Sequence, residues 1–120
     1  MPSLETLESF VSLVEAGRTV DAMVLFYAEH ASMQENMSAP RSGKAALIRH
    51  EEAALSTVET MKATCVRPIL ISEDVAVVRW IFEIQDKKGK TMRFEELAYQ
   101  RWAENQIIHE QFFYDPAQFR

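Results

Sequence analysis

The chain has 120 residues, of which 26% are charged, and its net charge at pH 7 is −5. This length suits one domain with its own hydrophobic core, so we predict a single domain over residues 1–120. The acidic balance argues against nucleic-acid binding, and no stretch approaches the roughly 20 apolar residues of a membrane span. Cys65 is the single cysteine and cannot form an intrachain disulfide, which favours a reducing compartment and predicts a soluble, cytoplasmic protein.

Two amphipathic helices are predicted in the first quarter of the chain. Ser3 can cap the first helix, whose apolar residues recur every three or four positions until Gly17. A second helix with the same spacing follows Arg18-Thr19 and reaches Tyr27. Because the link is so short, the two helices are expected to meet at a tight corner.

A short extended segment and a third helix come next. Ser32–Met37 is brief and polar, and alternation along a strand would place Gln34 and Asn36 on one face. Ser42 is a good N-cap for a helix that runs to about Glu59.

From Thr60 onward the pattern changes to strands. The predicted strands are Met61–Ile71, Val75–Gln85, Thr91–Trp102 and Ile107–Tyr114. Their connections are short enough to make each neighbouring pair antiparallel. Three helices followed by such a meander predict an α+β fold, with the helices packed on one face of a curved antiparallel sheet.

Turn chemistry predicts the register of the last hairpin. A two-residue loop at Glu104-Asn105 needs positive φ at both positions, so a three-residue connection with only Asn105 in the left-handed region is less strained. That register pairs Ala98 with Glu110. Glu96 and Glu110 then become diagonal neighbours on one face, with Cβ atoms about 7–8 Å apart.

The preceding hairpin extends this face. A four-residue loop from Lys87 to Lys90 pairs Ile81 with Glu96 and brings Arg79 onto the same surface. The combined face carries Arg79, Ile81, Glu83, Phe94, Glu96, Glu110, Phe112 and Tyr114. The reverse face of the first of these strands is strongly apolar and includes Val78, Trp80 and Phe82.

This arrangement leaves two interpretations open. In one, the apolar face packs on the helices and the charged residues form a solvated surface that contributes little to stability. In the other, the sheet curls around a cavity lined by the charged set, and Val78, Trp80 and Phe82 contact a second subunit. The second interpretation explains why aromatic residues lie among the charges, because a ligand pocket combines both kinds of group. The first would leave three aromatic residues exposed together.

Several segments of the chain, together with the order of its elements, resemble one known family. The segments are Phe26–His30, Met33–Met37, Gly43–Leu47 and Phe112–Pro116. They resemble the SnoaL-like branch of the nuclear transport factor 2-like superfamily, which implies a cystatin-like cone that encloses a cavity. That superfamily includes polyketide cyclases, ketosteroid isomerases, epoxide hydrolases, dehydratases and non-catalytic binding proteins, so the resemblance does not select a reaction.

Limonene epoxide hydrolase relatives hold a water with a tyrosine and an asparagine, and carry an Asp-Arg-Asp set on the sheet. By resemblance, Asn36 and Arg79 match the asparagine and the arginine. Gln34 stands at the tyrosine position, and Ile81 and Phe112 stand at the two aspartate positions. The hydrolase mechanism is therefore not expected, although the match favours Arg79 and Phe112 pointing into the cavity. No Tyr–Asp pair matches the isomerase oxyanion donors either.

Glu96, Glu110 and Arg79 are the predicted catalytic residues. Two close carboxylates in a partly apolar cavity cannot both ionise without cost, so one pKa would rise and supply an acid beside a base. Alternatively, Arg79 neutralises one glutamate in a structural ion pair. The predicted ligand-binding residues are Tyr27, Gln34, Asn36, Ile81, Glu83, Phe94, Phe112 and Tyr114. We predict no cofactor and no metal site, because no His-x-His or His-x-x-x-His spacing occurs.

Together these features predict a homodimer that binds a small, largely apolar molecule bearing a carbonyl or hydroxyl group. Glu96 and Glu110 would supply acid–base chemistry of the isomerase, cyclase or dehydratase type. The alternative is a non-catalytic module for ligand binding or dimerisation. Neither alternative involves nucleic acid or a membrane.

Overall fold

A computed structural model describes residues 1–119 of the chain. Its elements are α1 (Leu4–Glu15), α2 (Thr19–Phe26), β1 (Tyr27–Glu35), β2 (Arg41–Ser42), α3 (Lys44–Leu55), β3 (Val58–Ser72), β4 (Val75–Asp86), β5 (Thr91–Ala103), β6 (Gln106–Phe113) and a short 3-10 helix at Pro116–Phe119. Three helices pack on one curved sheet, and the predicted α+β fold is confirmed. No helix in this part of the chain is both long and apolar enough to cross a membrane.

The start of α1 follows from its capping residue. The Ser3 hydroxyl accepts a hydrogen bond from the Thr6 amide at 3.0 Å, as predicted for an N-cap. The start of α3 differs from the prediction, because Ser42 pairs with Ser32 in the sheet and Gly43 precedes the helix. Gly43 has a φ of +96°, which lets the chain turn sharply from strand to helix.

The six strands form a single sheet in the order β2-β1-β6-β5-β4-β3. The last four strands form the predicted antiparallel meander. β1 lies beside β6 and runs parallel to it, so the first strand of the chain pairs with the last. Tyr27, predicted at the end of the second helix, is the first residue of β1 and is buried.

The register between β4 and β5 differs from the prediction by one residue. Trp80 pairs with Glu96, and Phe82 pairs with Phe94. The turn is shorter than expected, because Asp86 and Lys90 are already hydrogen-bonded through their backbones and Gly89 takes a positive φ of +85°. A shift of one residue exchanges the two faces of a strand.

The exchange of faces overturns the predicted dimer surface. Val78 and Trp80 are only 0% and 3% exposed and belong to the core beneath the helices, and Phe82 packs against that core. The predicted contact of these three residues with a second subunit is therefore wrong. Arg79, Ile81 and Glu83 point to the outer face of the sheet instead.

The last hairpin has the two-residue loop that the prediction rejected. Glu104 and Asn105 both adopt positive φ, at +51° and +64°. A register shift at Ile108 adds one residue to β6, so that Gln100 faces Glu110 and Ala98 faces Phe112. The extra residue restores the alternation, and Glu110 therefore lies on the same face as Glu96, as predicted.

Candidate functional site

A cavity of about 430 Å³ lies between the inner face of the sheet and the helices. Its aromatic lining residues are Phe10, Tyr27, Trp80, Phe82, Phe94, Phe112, Tyr114 and Phe119. Its acidic lining residues are Glu35, Glu51, Asp86, Glu96 and Glu110. An apolar space that contains a few ionisable groups is typical of small-molecule sites.

Glu110 is held at the wall of the cavity by a chain of buried hydrogen bonds. The Tyr27 hydroxyl donates to Oε1 of Glu110, and the Gln100 side-chain amide donates to Oε2 at 2.7 Å. The indole N–H of Trp102 in turn donates to the Gln100 carbonyl oxygen at 3.1 Å. All four side chains are at most 3% exposed, so the network fixes the orientation of the Glu110 carboxyl group.

The protonation of Glu110 is set by two opposing effects. Burial raises its pKa, whereas the hydrogen bonds from Tyr27 and Gln100 lower it. Burial is the larger effect, and the pKa of Glu110 rises to about 7. Near neutral pH this carboxyl group is therefore present in both its protonated and its ionised form.

Glu96 has a different environment at the centre of β5. It lies opposite Trp80, and within residues 1–119 its carboxyl group has no hydrogen-bond partner. Burial, followed by repulsion from Glu110 and other nearby glutamates, raises the pKa of Glu96 to about 8. The group is mainly protonated at pH 7 and is free to bind a ligand atom.

The two glutamates are not the diagonal neighbours that were predicted. Because Gln100 faces Glu110, Glu96 lies four residues further along β5, about 13 Å away at the rise of a strand. This spacing is between backbone positions, and both side chains line the same cavity. Repulsion from Glu110 is the second contribution, after burial, to the raised pKa of Glu96.

The comparisons with known proteins agree with this geometry. The family model described as SnoaL-like domain matches residues 7–110. The chain belongs to the SnoaL-like domain family. A comparison with curated proteins finds no match.

Solved structures with the same fold span nearly the whole SnoaL-like domain. A Mesorhizobium loti protein named as a SnoaL-like polyketide cyclase is 20% identical, with a TM-score of 0.79, and the match covers 95% of this chain and 100% of that one. TerC, co-crystallised with polyporic acid, is 12% identical, with a TM-score of 0.81 and coverage of 99% and 95%. An LEH-like epoxide hydrolase from M. tuberculosis is 9% identical, with a TM-score of 0.77 and coverage of 96% and 84%. Likeness at these identities establishes a shared fold and leaves the reaction open.

Several residues predicted as ligand contacts do line the cavity of the SnoaL-like domain. They are Tyr27, Phe94, Phe112 and Tyr114. Phe119 of the 3-10 helix packs on Phe94 and Tyr114, with ring centroids 4.9 and 5.5 Å apart. The C-terminal segment therefore closes part of the cavity wall.

Arg79, Ile81 and Glu83 lie outside the cavity. The Arg79 guanidinium donates to Glu95 at 3.2 Å on the outer face, where both side chains contact solvent. The predicted placement of these three residues inside the cone is wrong because of the one-residue shift in β4. An ion pair between Arg79 and either cavity glutamate is not formed.

Gln34 and Asn36 do not line the cavity either. The Gln34 side-chain amide donates to the backbone of Ser38 at 2.9 Å. The Asn36 side-chain oxygen accepts from the Tyr114 amide at 3.0 Å, and Asn36 itself has a positive φ of +48°. Both residues shape the turn after β1, and Asn36 anchors the end of the last strand beside the cavity.

Sequence reasoning missed three acidic residues of the cavity, namely Glu35, Glu51 and Asp86 at the end of β4. Glu51 on α3 is half-buried, and burial raises its pKa; Glu35 ends β1 and also faces inward. Leu47 is buried one turn before Glu51, so the i,i+4 spacing was a signal that both point the same way. Among residues 1–119, no group of three or more side chains could hold a metal ion.

Proposed function

We propose that this SnoaL-like domain binds a small, largely apolar molecule in the cavity and transfers a proton at its carbonyl or hydroxyl group. The main support for this proposal is the environment of Glu96. Its carboxyl group lies among aromatic rings and has no hydrogen-bond partner in residues 1–119. A ligand oxygen beside Glu96 would satisfy this group. The surrounding rings would bind the apolar remainder of the ligand.

The two glutamates suit opposite steps of a proton transfer. With a pKa of about 8, protonated Glu96 donates its proton to a carbonyl oxygen at neutral pH. With a pKa of about 7, the ionised fraction of Glu110 accepts the proton that leaves the neighbouring carbon. The ligand gains one proton on oxygen and loses one from carbon, so its charge is unchanged and the product is an enol. With a β-hydroxy ketone the same pair can eliminate water: Glu110 removes the proton from the carbon beside the carbonyl group, a C=C bond forms as the C–O bond breaks, and Glu96 protonates the departing hydroxyl group.

Hydrogen–deuterium exchange tests this proposal without knowledge of the natural substrate. We would incubate the protein with 2-tetralone, an apolar ketone with acidic carbon-bound hydrogens, in D₂O and follow deuterium uptake by mass spectrometry. The wild-type protein is expected to accelerate exchange. Glu96→Gln should lose on the order of 10²- to 10⁴-fold of that acceleration, the usual contribution of a positioned acid or base.

Glu95→Gln is the matched control, because Glu95 is the next residue in β5 and points to the outer face. It should retain the wild-type exchange rate. Equal exchange rates in wild type and Glu96→Gln would overturn the catalytic role of Glu96.

A non-catalytic binding module is the second candidate. The complete set of hydrogen bonds around Glu110 favours it, because such a network can serve the fold alone. If 2-tetralone quenches the fluorescence of Trp80 but gains no deuterium, the cavity binds without catalysis. Solved structures of the same fold include proteins named as a polyketide cyclase and as an epoxide hydrolase, so the fold itself is compatible with the catalytic candidate.

We also propose a homodimer formed through the outer face of the sheet, with residues other than those first predicted. Leu97 and Phe113 face each other across β5 and β6 and are 44% and 37% exposed. Beside them, Arg79 and Arg93 flank Glu95, so the surface has charges of both signs. Sedimentation at micromolar concentration should show a dimer that Leu97→Asp converts to a monomer. A wild-type monomer contradicts this proposal.

A cytoplasmic location is proposed as well. Cys65 is buried as a free thiol, which suits a reducing compartment. Fractionation of expressing cells should recover the protein in the cytosolic fraction.

A further inference from the structure

The ionisable residues that line the cavity are mostly acidic. Its five carboxyl groups come from several elements of the fold: Glu35 from β1, Glu51 from α3, Asp86 from β4, Glu96 from β5 and Glu110 from β6. The basic lining residue is His50, and neither lysine nor arginine lines the cavity within the part of the chain that the structure describes. Each of these carboxyl groups repels an anionic ligand once it is ionised.

Aromatic rings occupy much of the remaining wall. Trp80, Phe82 and Phe94 form a continuous stack, with ring centroids 5.7 and 5.1 Å apart. Phe119 extends the row at 4.9 Å from Phe94. The face of an aromatic ring carries negative electrostatic potential and attracts cations, most strongly when water is excluded.

Thr19 provides a separate polar point at the same cavity. Its hydroxyl oxygen is buried and has no hydrogen-bond partner within residues 1–119, although the residue lines the cavity. A buried hydroxyl group without a partner is costly, and rotation of the side chain toward the cavity would let it pair with a polar group of a ligand.

We infer that the ligand of this cavity carries a positively charged nitrogen, so that its substrate class is an organic ammonium compound. The ammonium group lies among the aromatic rings and the carboxyl groups that line the cavity, and the same molecule carries the oxygen function proposed above. This inference rests on the proposed binding in the cavity. It goes further because neither an apolar cavity nor a proton-transfer step requires a charged ligand.

Proton release on binding follows from this arrangement. Without a ligand, burial raises the pKa of Glu96 to about 8, with repulsion from Glu110 adding to the shift. Burial raises the pKa of Glu110 to about 7, with repulsion from Glu51 adding to the shift. A bound cation favours their ionised forms and lowers both pKa values, so its affinity should rise with pH. The other ionisable groups acting on Glu96 are Glu35 and Glu51, which reinforce this trend. His50 lowers the pKa of Glu51 and so favours its ionised form already at lower pH. This effect reduces the dependence of cation affinity on pH.

A set of three small molecules tests the inference directly. Benzyltrimethylammonium is permanently charged, neopentylbenzene is its neutral carbon isostere, and phenylacetate is an anion of similar size. Because none of them changes protonation between pH 6.5 and 9, any change in affinity belongs to the protein. Binding is followed by intrinsic tryptophan fluorescence, because Trp80 lines the cavity while Trp102, the other tryptophan, does not.

The cation is expected to bind about tenfold more tightly than its neutral isostere at pH 9. This preference should shrink at pH 6.5, and phenylacetate should bind most weakly of the three. Glu96→Gln should reduce the preference for the cation, whereas Glu95→Gln on the outer face should leave it unchanged.

Three other outcomes would each overturn the inference, and each can be told apart from a failure of the proposed function. Equal binding of the cation and the isostere at both pH values would remove the preference for charge and leave the proposed cavity binding intact. Tighter binding of phenylacetate than of benzyltrimethylammonium would show that the cavity prefers anions to cations. If no probe bound while 2-tetralone still gained deuterium, the ammonium inference would fail and the proposed function would stand.

Discussion

Replacement of Glu96 by glutamine should stabilise the protein at alkaline pH. Glutamine keeps the shape of the side chain and cannot ionise. In the wild-type protein the folded-state pKa of Glu96 is about 8, compared with an ordinary value of 4.5. A raised folded-state pKa means that folding favours the protonated form, so the associated stability is present below pH 4.5 and is lost as pH rises through 8.

The size of the effect follows from the same pKa. Each pH unit between the unfolded and folded values changes the free energy of unfolding by about 1.4 kcal/mol. From pH 6 to the folded value of about 8, the wild-type protein should therefore lose about 3 kcal/mol through Glu96. Water that enters the open cavity screens part of this cost, and we expect a difference of about 2 kcal/mol between the variants.

Urea denaturation at pH 6 and pH 9, followed by intrinsic fluorescence, measures this difference. Trp80 and Trp102 are 3% and 2% exposed, so unfolding changes the environment of both indoles. Glu95→Gln serves as the control, because a hydrogen bond from Arg79 lowers the pKa of Glu95 and leaves it ionised throughout this range. If wild type and Glu96→Gln lose the same stability between pH 6 and pH 9, Glu96 titrates normally and the reasoning is refuted.

Two further substitutions test the supports of the cavity. Tyr27→Phe removes the hydroxyl donor to Glu110, so the pKa of Glu110 should rise and the free energy of unfolding should fall by about 1–2 kcal/mol. Carbon-13 NMR titration and urea denaturation measure the two effects, and an unchanged pKa would contradict the network. Gln118→Ala removes a pair of hydrogen bonds, 2.8 and 3.0 Å long, to the backbone of Glu95. The Glu95 amide should then exchange with solvent faster and bound probes should dissociate faster; unchanged exchange would show that Gln118 does not hold the C-terminal segment.

Local patterns in the sequence determined the elements and much of the sheet. The cap at Ser3 and the spacing of buried residues such as Leu7 and Val11 predicted α1, because both depend on residues within one or two turns. The meander of β3 to β6 followed from short connections, which leave a strand no other neighbour to reach. The resemblance to the SnoaL-like family was confirmed over residues 7–110.

The faces of β4 depended on a difference of one residue in a turn. Three- and four-residue loops before Thr91 are similar in local energy, yet they place opposite faces of β4 toward the core. The burial of Trp80 and Val78 beneath the helices selects the three-residue loop. The helices are not part of the hairpin, so its local sequence does not reveal this effect. For that reason Arg79 was assigned to the cavity and was found on the outer face.

The sequence also named Glu96, Glu110 and Tyr27 but not their relation to one another. Tyr27 and Glu110 are 83 positions apart, and they meet because β1 lies parallel to β6 at the far end of the chain. Pairing over such a distance reflects the packing of the whole sheet and leaves no periodic signal in either segment. Composition and spacing thus determined which side chains were available for chemistry, whereas long-range strand pairing decided which of them share one cavity.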